Sequence, residues 1–199
     1  MTPRSIPLLA CLVLSPAAGL AQDGPAFDCA NAESSAEKLV CHDADLATLD
    51  RRLADRFAAA IEVAEGLGVG AEEETNTLRA MQRGWISGRD ECWKEPDLRA
   101  CVEKEYLQRE AELVAGFMLE APSETFELIC GPRALTVDIF ATDLPGLRVE
   151  EGDSVYVGAQ LETDTPGTYY MRSAGGLVMD ADTITISDVH SEETACEIR

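Results

Sequence analysis

CHDADLATLDRRLADRF, residues 41–57, carries the pattern of an amphipathic helix. Its large apolar side chains recur at steps of three, four and four, which places them on one helical face: Leu46, Leu49, Leu53 and Phe57. Cys41 precedes this face by about one turn and can fasten the helix covalently to a neighbour. Because an amphipathic helix needs partners for its apolar face, the pattern predicts that the following segments pack against it.

Three helices are predicted in the first half of the chain. Ser34 and Glu37 are spaced as a capping box, so the first helix is expected to run from about residue 35 to the glycines that begin at residue 66. The second is expected over about residues 73–92, with Leu78, Met81 and Trp85 facing inward. Pro96 and Asp97 predict the start of the third, and its inward residues are expected to be Leu98, Val102, Tyr106, Leu113 and Phe117.

After Ala121-Pro122-Ser123 the periodicity changes from helical to alternating. Seven short runs read as strands between Pro-Gly and Gly-Gly turns: residues 126–130, 135–140, 155–161, 168–172, 177–180, 183–187 and 195–198. The expected class is therefore α+β, a disulfide-stapled three-helix module followed by a small antiparallel sheet or barrel. We place the boundaries at residues 1–21, 22–120 and 121–199.

The first 21 residues are typical of a signal peptide. Arg4 supplies a positive start, an apolar run follows, and Gly19-Leu20-Ala21 suits cleavage before Gln22. The expected location is therefore the periplasm or the exterior. Cys11 follows a lipobox-like Leu8-Leu9-Ala10, so a lipoprotein anchored there is the alternative. No later segment has the run of about 18–20 apolar residues that a membrane span needs.

Export implies disulfide bonds, because six cysteines remain once Cys11 is removed. Cys130 and Cys196 would close the second domain on itself. Antiparallel helices gather the other four cysteines at one end of the helical module. We favour the nested pairing, Cys41 with Cys92 and Cys29 with Cys101. The alternative is local pairing, Cys29 with Cys41 and Cys92 with Cys101, in which each bond closes across a helix start.

The charge and the motif search favour a binding protein over an enzyme. A formal charge of −21 disfavours nucleic acid and favours a basic protein partner, although acidity can also serve solubility alone. Gly152-Asp153-Ser154 mimics an esterase motif, but only 36 residues separate Ser154 from His190, so we interpret it as a turn. His42 has no second ligand set at metal-binding spacing. We expect no catalytic residue, metal or cofactor.

The first half resembles the LprI-type lysozyme-inhibitor family over about residues 27–115. The resemblance rests on four cysteines and on the elements Leu49-Asp50, Gln82-Arg83…Trp85, Arg89-Asp90…Cys92 and Cys101…Tyr106…Arg109. It implies an exported helical module. The best-known member of this family inhibits the c-type lysozyme of animal hosts.

The second half resembles the MliC-type inhibitors, small β-barrels that block c-type lysozyme. The shared features are Phe126 and Cys130 in the first strand, an alternating strand after it, and a cysteine near the end. The resemblance implies an inhibitory loop at residues 165–169, in which Tyr169 matches the family pattern and Thr165 is a conservative replacement. Tyr170 and Arg172 are further candidates.

Together these observations predict an exported inhibitor of c-type lysozyme that protects the cell wall and needs no cofactor. Lysozyme works with two carboxylates in its cleft, and an acidic inhibitor would be drawn to the enzyme's basic surface. The alternatives are an envelope interaction module without inhibitory activity and an uncharacterised hydrolase.

Overall fold

The computed structural model describes residues 24–161, 167–172, 174–180, 183–188 and 193–199. Within these ranges four α-helices precede eight β-strands. The helices are α1 (Ser35–His42), α2 (Ala44–Glu65), α3 (Ala71–Asp90) and α4 (Leu98–Phe117), and 3-10 turns at Cys29–Asn31 and Glu91–Lys94 precede α1 and α4. The predicted signal peptide lies outside the described residues. No described helix is long and apolar enough to cross a membrane.

The strands form a closed barrel in which each strand is antiparallel to the next and β8 returns to β1. They are β1 (Glu124–Cys130), β2 (Arg133–Phe140), β3 (Gly146–Glu151), β4 (Ser154–Gln160), β5 (Thr168–Met171), β6 (Gly175–Met179), β7 (Ile184–Ser187) and β8 (Glu193–Ile198). Alternate residues fill the interior, among them Leu128, Val137, Leu147, Val149, Met171, Leu177 and Ile186. The α+β prediction is confirmed.

The predicted first helix is two helices, divided at Asp43. Asp43 ends α1, because its N–H donates to the Leu39 carbonyl at 3.0 Å. Its carboxylate then accepts from the N–H groups of Asp45 at 3.0 Å and Leu46 at 3.1 Å and so caps α2. The capping box of Ser34 and Glu37 is present at the start of α1, as predicted.

The buried face of α3 differs in part from the prediction. Leu78 is buried and Trp85 packs against the helical core, but Met81 is 56% exposed. The face that meets α2 and α4 instead continues through polar positions, Thr75, Gln82 and Arg89, at helical spacing. An apolar pattern alone cannot predict this face, because its members are polar, and Gln82 and Arg89 enter it through hydrogen bonds to α4.

The favoured nested disulfide pairing is wrong. Cys29 bonds to Cys41 and Cys92 to Cys101, with Cα–Cα distances of 5.9 and 5.7 Å. The 3-10 turns explain the difference, because each holds one cysteine beside the neighbouring helix and so lets a short loop close across the helix start. The predicted Cys130–Cys196 bond is confirmed and joins β1 to β8.

Strand β3 is absent from the predicted strands because Pro145-Gly146 reads as a turn signal, whereas Gly146 is the first residue of the strand. The turn lies earlier, at residues 141–145. Glycine at position 146 allows β3 to approach α4 closely, because an added Cβ would lie only 3.0 Å from the Ala111 carbonyl oxygen. Leu147 and Val149 alternate inward, as in the other strands.

Helix α4 contacts both halves of the molecule. Val102, Tyr106 and Leu113 belong to the helical core, whereas Val114 and Ala115 pack against Phe140 of the barrel. Small residues on this second face let β3 approach closely. Because the helical core covers one side of α4 and the barrel covers the other, α4 shows a weaker amphipathic pattern than α2. The domain boundary after residue 120 falls between α4 and β1 and stays a prediction.

Candidate functional site

A buried polar network crosses the helical core and contains three of the residues on which the LprI-type resemblance rests. The Tyr106 hydroxyl donates to Asp50 Oδ1 at 2.8 Å and accepts from Arg89 Nη1 at 2.8 Å. The second Asp50 oxygen accepts from the Ala26 N–H at 2.7 Å. Burial raises the pKa of Tyr106, so the phenol stays protonated in this network. The network joins α2, α3, α4 and the chain before α1.

Other motif residues surround this network. Trp85 Nε1 donates to the Glu105 carbonyl at 3.1 Å, and its ring meets Tyr106 edge-to-face at a centroid distance of 5.3 Å. The Arg89 guanidinium lies over both rings. Gln82 accepts from Arg109 at 3.0 Å. The motif therefore specifies how the helices pack, and a surface that binds a partner must be sought elsewhere.

The predicted inhibitory loop divides into inward and outward residues. Thr165 lies outside the described residues. Tyr169 points into the barrel and is 7% exposed, and burial raises the pKa of its phenol. Tyr170 and Arg172 lie on the outer surface, where an Arg172 Nη2 atom is 3.9 Å from Glu112 of α4. Of the described candidates, the outward pair can reach a partner protein without opening the barrel.

A second exposed feature is the α2–α3 tip, residues 62–74. Contacts between α2 and α4 show that it projects. Arg99 Nε lies 2.8 Å from Asp43 Oδ2, and the Tyr106 hydroxyl donates to Asp50 Oδ1. In both pairs the α4 residue follows its partner by 56 positions in the sequence. That offset places Ile61 beside Phe117, where α4 ends. The last turn of α2 and the first turn of α3 therefore extend beyond the end of α4.

The α2–α3 tip combines exposed apolar side chains with negative charge. Val69 is fully exposed and Leu67 is 56% exposed. Gly68 and Gly70 adopt positive φ, which forms the tight connection and leaves open space around it. Five glutamates and no lysine or arginine occur in the tip. The result is an apolar point within a negatively charged surface.

In the sequence, residues 66–74 read only as a Gly-rich acidic turn. The signal that this interpretation misses is Leu67 and Val69 placed between glycines, because an apolar side chain at the apex of a helix hairpin has no core to enter. Within the described residues, no three His, Cys, Asp or Glu side chains are grouped as a metal ion requires.

The fold and these surfaces define a disulfide-bonded α+β protein in which a helical module with an acidic tip packs on an eight-stranded barrel. Residues 29–113 match the family model described as lysozyme inhibitor LprI. This segment covers α1 to most of α4 and includes both local disulfides and the α2–α3 tip.

Curated relatives include proteins named Lipoprotein LprI from Mycobacterium bovis and Mycobacterium tuberculosis, each 32% identical over 90 residues. The match covers 45% of this chain and 41% of each relative, so the chain spans about two fifths of the length of these relatives. No solved structure matches the chain significantly.

Proposed function

We propose that this protein is an exported binding protein that inhibits c-type lysozyme and so protects the cell wall. The observation that carries the proposal is the match of residues 29–113 to the lysozyme-inhibitor model. Inhibition needs a surface that occupies the enzyme's cleft and needs no turnover. A negatively charged surface suits this role, because it would attract a basic enzyme.

The α2–α3 tip is the surface that we assign to this role. A basic enzyme would be steered toward the five glutamates of the tip. Leu67 and Val69 would then enter the cleft, where the catalytic acid of lysozyme lies in a hydrophobic pocket. The tip belongs to the matched segment and projects past α4, so it can enter a groove without rearrangement of the helical core.

The outward residues of β5 and its following turn, Tyr170 and Arg172, form the second candidate surface. Arg172 is a cation that could pair with a cleft carboxylate, as the resemblance to the barrel inhibitors implies. The Arg172 side chain is 82% exposed and its Nη2 atom lies 3.9 Å from Glu112, so the side chain is held only weakly.

The proposed location follows from the predicted leader. Cleavage after Ala21 would release a protein that begins at Gln22, and an anchor at Cys11 is the alternative. The relatives from both mycobacteria are named lipoproteins, which supports export by either route. An exported location also suits the three disulfide bonds.

The test uses residues 22–199, folded under oxidising conditions and titrated against c-type lysozyme at physiological salt while cell-wall lysis is followed. We expect saturable inhibition with about one inhibitor bound per enzyme. Lysozymes of the g and i types serve as specificity controls. Absence of inhibition of c-type lysozyme by a demonstrably folded protein would overturn the proposal. Binding without inhibition would favour an envelope interaction module instead.

A further inference from the structure

The barrel has a cavity of about 610 Å³ at one end. This is the end at which β1 begins and β2 ends, and it lies away from the Gly131 and Gly152 turns. Ligand cavities of soluble proteins have volumes of this order and occur at the mouths of barrels.

Incomplete pairing between the first and last strands opens this mouth. β1 pairs with β2 from Glu124 to Cys130, but it pairs with β8 only from Leu128 to Cys130. The chain end continues the contact by one further bond, from Arg199 N–H to the Glu127 carbonyl at 2.9 Å. The first residues of β1 therefore border the opening, and Glu124 and Phe126 line it.

The floor of the cavity is apolar and partly aromatic. Phe126, Ile139, Tyr169, Met179 and Ile184 line it, and all five belong to or pack against the barrel core. Their side chains give an alkyl or aromatic group a place out of water, and burial of its apolar surface there stabilises a complex. Two aromatic rings can also attract an organic cation.

The charge at the mouth is negative. Glu124 and Asp180 line it, and none of the described lining residues is lysine, arginine or histidine. Glu124 lies close enough to Tyr169 for its charge to raise the pKa of that phenol, in addition to the effect of burial. An anionic amphiphile would meet this charge unfavourably, whereas a cation would be attracted by it.

From this geometry we propose that the barrel mouth is a binding site for a small organic cation, an ammonium or guanidinium group carried on an alkyl or aromatic body. The apolar body would occupy the floor between Phe126, Tyr169 and Met179. The cationic group would remain at the opening beside Glu124. The site is separate from the α2–α3 tip, and this proposal does not rest on the proposed inhibition of lysozyme.

Calorimetric titration of the full protein, residues 22–199, with three ten-carbon probes tests the proposal. The probes are decyltrimethylammonium, decyl sulfate and the neutral decyl maltoside, each below its micellar concentration. We expect saturable one-to-one binding of the cation, and at least tenfold weaker binding of the sulfate. Glu124→Gln should weaken cation binding about three- to fivefold, as expected for a partly exposed ion pair, and leave maltoside binding unchanged.

Two further variants separate the cavity from the acidic surface as a whole. Glu197→Gln removes the same charge from an exposed position of β8 and should leave cation affinity unchanged. Met179→Trp should fill the floor and reduce cation binding at least tenfold, and Ile184→Phe serves the same purpose if that variant fails to fold.

Three outcomes would overturn the proposal. The first is no saturable binding of the cation. The second is equal binding of all three probes, which would indicate nonspecific adsorption. The third is cation binding that responds equally to Glu124→Gln and Glu197→Gln and resists the floor variants, which would indicate general attraction to a negatively charged protein.

Discussion

Three polar side chains, Asp50, Arg89 and Tyr106, occupy core positions in the helical module and are at most 9% exposed. Each side chain forms a hydrogen bond with another member of the network, so the network is stable only while it is complete. A buried polar group that loses its partner costs more free energy than the hydrogen bond itself contributes. At the residue scale, these three residues of the LprI-type resemblance act together in the packing of the helices.

Tyr106→Phe should reduce the free energy of unfolding by about 1–3 kcal/mol, because it leaves Asp50 and Arg89 buried without their shared hydroxyl. Denaturant titration followed by far-ultraviolet circular dichroism measures the change. Tyr170→Phe is the matched control and should have little effect, since its side chain is exposed. Equal effects of the two substitutions would show that the network does not contribute to stability.

Glu37, at the start of α1, should make the free energy of unfolding depend on pH. The N–H groups of Glu33 and Ser34 donate to its carboxylate at 2.8 and 3.1 Å, and these bonds lower its pKa below 4.5 in the folded protein. A lowered folded-state pKa stabilises the protein above pH 4.5, and this stabilisation is lost as pH falls through the folded-state pKa.

Glu37→Gln should therefore cost about 0.5 kcal/mol at pH 7, and the difference from the parent protein should shrink as Glu37 becomes protonated. Thermal unfolding at pH 7, 5 and 3 provides the measurement. Asp55→Asn, which alters an exposed carboxylate of α2, should show no comparable pH dependence. A constant difference for Glu37→Gln across this range would contradict the assignment.

At the scale of elements, close approach of α4 and β3 joins the helical module to the barrel. A Cβ added at Gly146 would lie 3.0 Å from the Ala111 carbonyl oxygen and 3.5 Å from the Ala115 Cβ. Arg148 adds a hydrogen bond to the Gly116 carbonyl at 3.1 Å. The approach requires small residues on both elements, since a larger side chain would separate them.

Gly146→Val should lower the free energy of unfolding by about 1–3 kcal/mol through overpacking. Gly84→Ala offers the opposite expectation, because Gly84 lies inside α3 and a Cβ there would meet no atom within 4 Å beyond its chain neighbours and the backbone of its own helix. Alanine there should stabilise the protein by about 0.5–1 kcal/mol by favouring the helix. Denaturant midpoints of both variants measure these effects. A neutral result for Gly146→Val would mean that α4 and β3 do not need this contact.

The helices also show which structural features can be predicted from sequence patterns. The apolar face of α2 is predictable because Leu46 and Leu53 repeat at helical spacing and are buried. The break at Asp43 is not predictable from the sequence, because an aspartate inside an apolar pattern is normally interpreted as a surface residue. Here Asp43 caps the next helix. The face of α3 is predictable only in part, because Gln82 and Arg89 enter the core through tertiary hydrogen bonds.

The candidate sites are harder to predict than the fold. Alternation places Tyr169 in a strand, but which side faces the interior depends on closure of the barrel, and the structure turns Tyr169 inward. The projection of the α2–α3 tip depends on the offset between α2 and α4, which no local pattern contains. Disulfide pairing likewise depends on the 3-10 turns that hold Cys29 and Cys92.

At the scale of the whole molecule, three disulfide bonds constrain two differently built halves. The helical bonds close short loops, with sequence separations of 12 and 9 residues, whereas Cys130–Cys196 spans 66 residues. In the chain-entropy model a longer loop restricts the unfolded state more strongly. The barrel therefore depends more on its single bond than the helical module does on either of its two.

Replacing Cys130 and Cys196 together by serine should cost about 4 kcal/mol, against about 3 kcal/mol for the Cys92 and Cys101 pair. Denaturant titration without reductant compares the two variants, and peptide mapping of the parent protein checks the pairing. A larger loss from the Cys92 and Cys101 pair would contradict this ranking. A mapped Cys29–Cys101 bond would contradict the fold of the helical module.

Entry of the α2–α3 tip into the cleft of lysozyme is tested most directly by the inhibition constant of a tip variant. Leu67→Ser with Val69→Ser removes both apolar side chains of the apex. Met81→Ser with Ile86→Ser is the matched control, because Met81 and Leu67 are both 56% exposed and Met81 lies outside the tip. Tyr170→Ser with Arg172→Ser removes the second candidate surface.

The parent protein and these three variants would be titrated against c-type lysozyme in one cell-wall lysis assay at physiological salt. We predict that the inhibition constant rises at least tenfold for the tip variant and changes less than twofold for the control. An unchanged constant for the tip variant, with inhibition lost in the Tyr170 and Arg172 variant, would contradict this prediction and assign the binding surface to the barrel.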